Sequence, residues 1–386
     1  MHQKLRKTRF AGSALTSILL GIGFLALTLR VSAIAPISDD SELFITGVAT
    51  VSSNSNLFLS HTDVTSATIY DLVPGLSYEF GKTNSDTTGQ LAYDEDFQMI
   101  RKTGANLNKQ LANAVFWTKY DDTKNKLNLD ASFHQADQPE VGIQNLPFLV
   151  DRDLYEADAL GEVAVTEKTS FGAGAAYDDT EYHTPGYVNY SYFEVPVNYY
   201  FQVEPKLDLS AGFRYRDNTL GTGGIDSKDY FYNVGARGEF TPLLTGEFNI
   251  GYQEEKPVRG PTLDSLGLNS KFTLAVDPKT SLFLTGTEDY SYAPIGSPIR
   301  ATGGTGGLKS QLTDQWSING QVGYTRNTYL TTTQRDDFYT AQLGISFQIN
   351  VHMSVTAAYT YSEDQSNIAL DSFNDNIFSV SGSLHF

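Results

Sequence analysis

The sequence predicts an all-β fold, a transmembrane antiparallel up-and-down β-barrel, and three observations predict it. Runs of alternating apolar and polar residues recur along the chain, as in strands with one apolar face. Aromatic residues gather at the two ends of these runs with aliphatic residues between them, as at the two interfaces of a bilayer. Turn-like sites divide the runs at spacings of 37, 36, 36 and 37 residues, at Pro205, Pro242, Pro278, Asp314 and Val351.

Residues 1–33 are predicted to be a secretory signal peptide. Basic residues come first, an apolar stretch over residues 10–29 follows, and small residues end the segment, with cleavage expected after Ala33. The competing interpretation is a retained anchor, since about 20 apolar residues can span a bilayer. The remaining residues, 34–386, are predicted to form one domain, the outer-membrane barrel.

The composition argues against several classes of function. Five of the 27 Lys+Arg lie in the signal peptide, so the mature chain has 22 basic against 45 acidic residues, a net charge of −23. This charge argues against nucleic acid as a partner. The absence of cysteine excludes disulfides and thiolate metal sites.

No enzymatic motif is present in the sequence. The six histidines are scattered without an H-E-x-x-H pattern, and no serine lies in a G-x-S-x-G pattern. We therefore expect no enzyme, no cofactor and no metal. A hydrolase in the lumen or at the rim, which would leave no linear motif, is the remaining catalytic alternative.

Eighteen strands are predicted in total, with sixteen as the alternative. Thirteen of them follow from about Arg152 to the C-terminus, and the even total puts both ends on the periplasmic side. The weakest evidence is for the first strand and for the segment at residues 89–97. Five strands precede a long loop over residues 135–151, and they are expected at residues 43–51, 68–80, 89–97, 110–120 and 126–134.

Two kinds of connection alternate along the second half of the chain. The turns that contain the regular sites are short, whereas the others are acidic and rich in Gly, Pro and Tyr. Short periplasmic turns and longer external loops are typical of outer-membrane barrels, and two strands of about 11 residues, a turn of about four and a loop of about ten sum to roughly 36. The acidic loops either collect Ca²⁺ or Mg²⁺ that bridges lipopolysaccharide phosphates or are simply solvated. The long loops are predicted at residues 178–186, 218–229, 254–264, 292–300 and 365–375.

The polar faces of the strands are predicted to line a lumen. Sixteen to eighteen strands leave room for an aqueous channel, whose charged side chains would bias passage. The competing interpretation is that these side chains pair with one another across a partly plugged interior. Arg214 and Arg216 on one strand and Arg237 on the next predict a basic patch for an anionic solute. The pore-lining candidates are Glu194, Arg214, Arg216, Arg237, Glu239, Glu247, Lys271 and Lys309, joined by the amides of Asn198, Asn249, Asn319, Gln321, Gln342 and Gln348.

Two short segments carry a family resemblance. The first strand ends in Ser-Asn-Ser-Asn-Leu-Phe at residues 53–58, and Asp-Leu-Val-Pro-Gly-Leu-Ser-Tyr follows at residues 71–78. With hairpins throughout and a terminal Phe386, the chain resembles the outer-membrane β-barrel porin family of type 2. This resemblance implies a link to exopolysaccharide export, and Phe386 looks like the signal that the barrel assembly machinery recognises.

The sequence thus predicts a porin-like passive conduit in the outer membrane of a Gram-negative bacterium, linked by resemblance to exopolysaccharide export. The alternative is a non-conducting structural or adhesion barrel whose loops bind a surface partner. The expected partners are outer-membrane lipid, lipopolysaccharide, the barrel assembly machinery and components of polysaccharide export.

Overall fold

The computed structural model describes residues 36–38, 40–81, 85–102, 104, 106–140 and 148–386. The predicted signal peptide, residues 1–33, lies outside the described residues. The first strands are β1 Pro36–Ser38, β2 Ser41–Asn54, β3 Ala67–Phe80, β4 Thr87–Lys102, β5 Asn106–Asp121, β6 Asn125–Gln138, β7 Val150–Thr166, β8 Thr169–Tyr182 and β9 Tyr190–Glu204. The others are β10 Leu207–Leu220, β11 Ser227–Thr241, β12 Leu244–Pro257, β13 Leu263–Asp277, β14 Thr280–Tyr292, β15 Pro298–Gln311, β16 Trp316–Tyr329, β17 Arg335–Asn350, β18 Met353–Ser366 and β19 Phe373–His385, with a short 3-10 helix at Ala369–Asp371.

Strands β2 to β19 form one closed antiparallel barrel of eighteen strands. Each strand pairs with the next in sequence, and β19 pairs with β2, where His385 lies opposite Thr46. The short β1 adds a few pairs along β2. The predicted fold class and the count of eighteen are confirmed, and the alternative of sixteen is wrong because the uncertain segment at residues 89–97 lies inside a fully paired β4.

The alternation of residue types sorts the side chains between the two faces of the wall. Side chains at successive positions of a strand point to opposite faces. Val322, Leu343 and Ile345 point outward and stay exposed although they are apolar. Aromatic pairs flank them, Trp316 with Phe347 toward the short turns and Tyr324 with Tyr339 toward the loops. This apolar face with an aromatic row at either end is the pattern of a surface that contacts lipid.

The strands extend further than the sequence predicted. They run for 13 to 17 residues, against about 11 expected, and the loops are correspondingly short. Pairing between β10 and β11 continues to Asn218 opposite Ser227, which leaves only residues 221–226 as the loop. The polar loop segments remain in the ladder because cross-strand hydrogen bonding does not require an apolar side chain. Among the described residues, no helix is long and apolar enough to cross a membrane.

The family-like Ser-Asn-Ser-Asn segment locks the seam where the barrel closes. The Asn56 side chain is buried, donates to the carbonyls of Ser60 and Asn374 at 2.9 Å each, and accepts from the Ser60 amide. The backbone amide of Asn56 donates to Asp375 Oδ1 at 2.8 Å. These bonds tie the β2–β3 loop to β19, so a buried asparagine with every polar group paired holds the loop end of the seam.

Phe386 closes the other end of the same seam. Its amide donates to the Ile45 carbonyl at 2.9 Å, and the Ile45 amide donates back to the Phe386 carbonyl at 2.6 Å. The ring stacks on His352 with 4.6 Å between the ring centroids. The last residue of the chain is thus a paired member of the sheet.

Deleting Phe386 is expected to impair assembly, because β2 loses two backbone partners at the seam and the assembly machinery loses its predicted signal. The measurement is heat-modifiable migration of the membrane-inserted barrel. Phe386→Tyr, which keeps the ring and both backbone bonds, is the matched control and should assemble normally. A deletion variant that yields a normal amount of heat-modifiable barrel would contradict both roles.

Candidate functional site: the barrel interior

Two of the predicted lumenal arginines, Arg214 and Arg216, belong to a buried ion-pair network at the loop end. Arg214 Nη2 lies 2.9 Å from Asp229 Oδ1 and 2.9 Å from Asp289 Oδ1. Arg216 Nη2 lies 3.2 Å from Asp289 Oδ1 and donates to the Tyr290 carbonyl at 2.9 Å. Asp229 is fully buried and Arg216 nearly so. Both guanidiniums are therefore neutralised inside the protein.

Two further groups belong to this network. Glu194, another predicted pore-lining residue, lies 3.5 Å from Arg214 Nε. The buried Gln253 donates to Asp229 Oδ2 at 2.8 Å and also to Asp289. Charged groups taken out of water need ionic partners of this kind, since an unpaired buried charge costs several kcal/mol.

Arg237 lies elsewhere and has its own partners. It donates to both oxygens of Glu162, at 2.7 and 2.8 Å, and through Nε to Asp208 at 3.1 Å. Its guanidinium also lies over the Tyr200 ring, 3.3 Å from the centroid. Arg237 lies opposite Asp208 across the β10–β11 ladder. Asp208 and Arg214 are both on β10, about 20 Å apart at about 3.4 Å per residue. The three arginines do not form one joint basic patch.

The remaining predicted candidates are distributed along the interior. Glu239 pairs with Lys206 at the turn-side rim, with 2.7 Å between Nζ and Oε1. Glu247 accepts from the Asn249 amide at 2.9 Å and lies opposite Lys271 across the β12–β13 ladder. Lys309 lies opposite Asn319 in the adjacent strand. Gln321 donates to Gln342 at 3.1 Å. The last candidate, Gln348, lies near the turn end of β17 and donates to the Asn350 carbonyl at 2.5 Å.

The ion pairs require a strongly curved wall. Arg214 on β10 and Asp289 on β14 are separated by three strands, which would place them about 19 Å apart in a flat sheet at about 4.8 Å per strand. The loops meet in the same way, since the Val188 amide after β8 donates to the Pro294 carbonyl after β14 at 2.8 Å. Gly296, at φ +79°, allows this loop to turn close against Val188. Strands β9 to β14 therefore fold in toward themselves at the loop end and narrow the interior.

The curvature opens the ladder between β13 and β14. Their pairing ends at Leu268 opposite Glu288, although both strands continue toward the loops. Beyond that point the Tyr290 carbonyl accepts from Arg216. An arginine side chain thus replaces a neighbouring strand as the partner of a backbone group that would otherwise be unpaired.

A polar cavity of about 230 Å³ lies inside the curved wall. Gly212 leaves space for side chains that line the cavity, because a Cβ there would come within 2.2 Å of Asn198 Oδ1 and 2.8 Å of Asn233 Oδ1. The sequence indicated two of its amides, and the structure adds the others from neighbouring strands. The amide side chains that line it are Asn198, Asn233, Asn249, Gln253 and Asn269.

The sequence interpretation missed an acidic stripe on the opposite wall. Asp130 on β6 lies directly opposite Asp158 on β7, and Glu156 lies opposite Asp178 on β8. They share the inward face with Glu162, which meets Arg237 across the interior. Unlike Glu162, the four acids of the stripe form no ion pair with another described residue. Three of them are exposed, Asp130, Glu156 and Asp158. The signal was available, since these acids alternate with the outward Phe133, Tyr155 and Tyr177.

Another group of acids lies at the loop end between β17 and the β18–β19 loop. Gln334 donates to both Asp336 and Asp371. Burial, and then the charge of Asp336, raises the pKa of Asp371. Asp364 is buried beside them. In the part of the chain that the structure describes, no group of three or more His, Asp or Glu side chains is arranged to hold a metal ion.

The family resemblance found in the sequence is confirmed over the second part of the chain. Residues 202–386 match the family model described as "Putative beta-barrel porin 2". No curated protein matches the sequence.

Solved barrels match the whole length of the described chain at low identity. OccK5 (OpdH) of Pseudomonas aeruginosa is 10% identical, with 91% of this chain and 100% of that chain covered and a TM-score of 0.46. OccAB3 of Acinetobacter baumannii is 9% identical, with 90% and 100% covered and a TM-score of 0.48. A bacterial polysaccharide outer membrane secretin is 9% identical, with 91% and 99% covered and a TM-score of 0.38.

Asp229→Ala is expected to lower the free energy of unfolding by about 3 kcal/mol, because it leaves Arg214, Arg216 and Gln253 buried with fewer partners. Denaturant titration of the lipid-reconstituted barrel measures the effect. Glu239→Ala is the control: its partner Lys206 is largely exposed, so its loss should cost less than about 1 kcal/mol. Equal losses in the two variants would show that the buried network does not stabilise the curved wall.

Proposed function

We propose that this chain, whose residues 202–386 carry the signature of a β-barrel porin family, is a passive conduit for small hydrophilic solutes in the outer membrane of a Gram-negative bacterium. The closed barrel with an apolar outer face supports a membrane location. The short turns would face the periplasm and the acidic loops the exterior.

One observation carries the proposal of a conduit. Asp130, Glu156 and Asp158 point into a closed barrel and are nevertheless exposed, without a cationic partner among the described residues. Neighbouring carboxylates of this kind stay charged only when water or mobile cations surround them. A hydrated lumen beside β6 to β8 satisfies that requirement, whereas a plugged interior would leave the acids unpaired.

The same residues indicate which charge passes more easily. The arginines on the curved wall are held by Glu162, Asp229 and Asp289, so they offer little net positive charge to a solute. The acids on the facing wall are free to attract cations, and rows of carboxylates favour cation passage. We therefore replace the anionic solute suggested by Arg214, Arg216 and Arg237 with a preference for cations.

The purified protein should form channels in a planar bilayer and prefer K⁺ to Cl⁻, as measured by the reversal potential in a KCl gradient. Asp130→Asn with Asp158→Asn should roughly halve the permeability ratio or reduce it further, because two lumenal charges are removed. The control is Asp314→Asn, since Asp314 is fully exposed in the β15–β16 turn and should leave the ratio unchanged.

Two outcomes would contradict these proposals. If no channel events occur at any salt concentration, the conduit fails and the non-conducting structural or adhesion barrel takes its place. If the channel prefers Cl⁻, or if the double variant keeps the ratio of the unaltered protein, the acidic stripe does not face the permeation path.

The link to polysaccharide export is proposed from the family resemblance and from the tyrosines at the mouth. A cavity of about 380 Å³ at the loop end is lined by Tyr182, Tyr190, Tyr192 and Tyr292, with Arg216 at its edge. Flat aromatic faces with a few polar groups suit a ring-shaped, hydroxylated ligand.

Exopolysaccharide fragments added to the loop side should interrupt the ion current. Tyr192→Ala should weaken this block about fivefold, since one aromatic contact contributes about 1 kcal/mol. Dwell times of the blocked state measure the change, and Tyr359→Ala on the outer face is the control. If the fragments do not change the ion current, a polysaccharide cargo is contradicted, whereas the proposal of a conduit is not.

A further inference from the structure

Three arginines lie on adjacent strands of the outer face of the barrel, and two of them contact one carboxylate. Arg326 Nε lies 2.7 Å from Asp337 Oδ1, and Arg335 Nε lies 3.4 Å from Asp337 Oδ2. Arg300 shares a row with Arg335, because both pair with Thr328 of the strand between them. At about 4.8 Å per strand, Arg300 and Arg335 are about 10 Å apart. We call Arg300, Arg326 and Arg335 the arginine cluster.

The cluster lies at the level of lipid head groups. Arg326 and Asp337 form a cross-strand pair, as do Tyr324 and Tyr339 two residues nearer the middle of the barrel. These tyrosines belong to the loop-side aromatic row, and Val322 on the same face is strongly exposed. Because alternate residues share a face, the arginines point outward just beyond the aromatic row, where polar head groups begin.

The site is held in place before any ligand binds. Asp337 is buried and accepts a hydrogen bond of 2.6 Å from the Tyr324 hydroxyl as well as the contacts from the two arginines. Arg326 and Arg335 contact it through their Nε atoms, and their side chains remain 44% and 54% exposed. Their terminal amino groups therefore remain able to donate to a second anion in the forked geometry that suits phosphate.

Two other acids lie near the cluster. Glu288 lies 3.9 Å from Arg300 and partly offsets the charge of that arginine. Glu363 accepts from the Tyr361 hydroxyl at 2.8 Å and from Gln365 at 2.9 Å. Arg326 and Arg335 thus share a single carboxylate and carry an excess of positive charge, in a chain whose net charge is −18.

We propose that the arginine cluster binds the phosphate groups of lipopolysaccharide in the outer leaflet. The assignment rests on the proposed function, which places the loop end of the barrel at the external surface. A lipid with several phosphates at the head-group level matches three outward guanidiniums on adjacent strands. The sequence left open whether cations held by the acidic loops bridge lipopolysaccharide phosphates, whereas the arginine cluster would contact the phosphates directly.

The test is binding of fluorescent lipid A to the purified full-length barrel in detergent. Arg326→Gln with Arg335→Gln should weaken binding about tenfold or more, because several charge-assisted hydrogen bonds are lost. Arg326→Lys with Arg335→Lys keeps the charges without the forks and should recover part of the affinity. Arg101→Ala is the matched control and should bind lipid A as the unaltered protein does. Arg101 lies on the outer face at the loop end of β4, and the one side-chain contact described for it is with Met99.

Dephosphorylated lipid A, inorganic phosphate and phosphatidylglycerol vesicles are the competing probes. The proposal is overturned if the Gln variant binds lipid A as well as the unaltered protein, or if dephosphorylated lipid A or phosphatidylglycerol binds equally tightly. Heat-modifiable migration confirms that each variant is folded, since the substituted side chains face outward. Conductance of the same variants separates the two proposals, because loss of lipid binding should leave the ion current in place.

Discussion

The structure depends on the requirement that every backbone amide and carbonyl within the membrane finds a partner in a neighbouring strand. A sheet satisfies this requirement everywhere only if its first and last strands pair. In this chain β2 and β19 are the strands that pair to close the barrel, and specific residues hold both ends of their seam. Asn56 ties the loop end, and Phe386 completes the turn end with two backbone bonds.

Closure also determines where charge can be placed. Once the ladder is complete, each side chain faces either lipid or the interior, and the interior must accommodate any charge that the strands carry within the apolar band. The barrel does this in two ways. On one wall Arg214 and Arg216 on β10 pair with Asp229 and also with Asp289 on β14, where strands β9 to β14 curve inward. On the other, Asp130 and Asp158 lie opposite each other and form no ion pair with a described residue. The proposed aqueous lumen would supply the water that these two carboxylates need.

The local pattern of the sequence was sufficient to predict the strands but not the contacts across the barrel. Alternation and turn spacing report which residues share a face, so the eighteen strands and the inward position of Arg214 followed from them. They carry no information on curvature, and Asp289 meets Arg214 only because three intervening strands bend. The same limit made three arginines look like one basic patch. The sequence prediction ended the strands too early at the loop side, because acidic residues there form the same cross-strand backbone hydrogen bonds as apolar residues.

The net charge of −18 is a sum over the inner and outer faces and describes the charge of neither. Period-2 alternation allows adjacent residues to serve different media, as Asp336 and Asp337 illustrate: the first is buried with Gln334 on the inner side, and the second anchors Arg326 on the outer side. In the proposed conduit, lumenal carboxylates on β6 to β8 attract cations, while the arginine cluster on β15 to β17 is proposed to meet the phosphates of the outer leaflet. Alternation allows both, because neighbouring side chains of a strand point to opposite faces. The mean charge of such a chain predicts little about passage or lipid contact, and the phase of each charge in the strand predicts both.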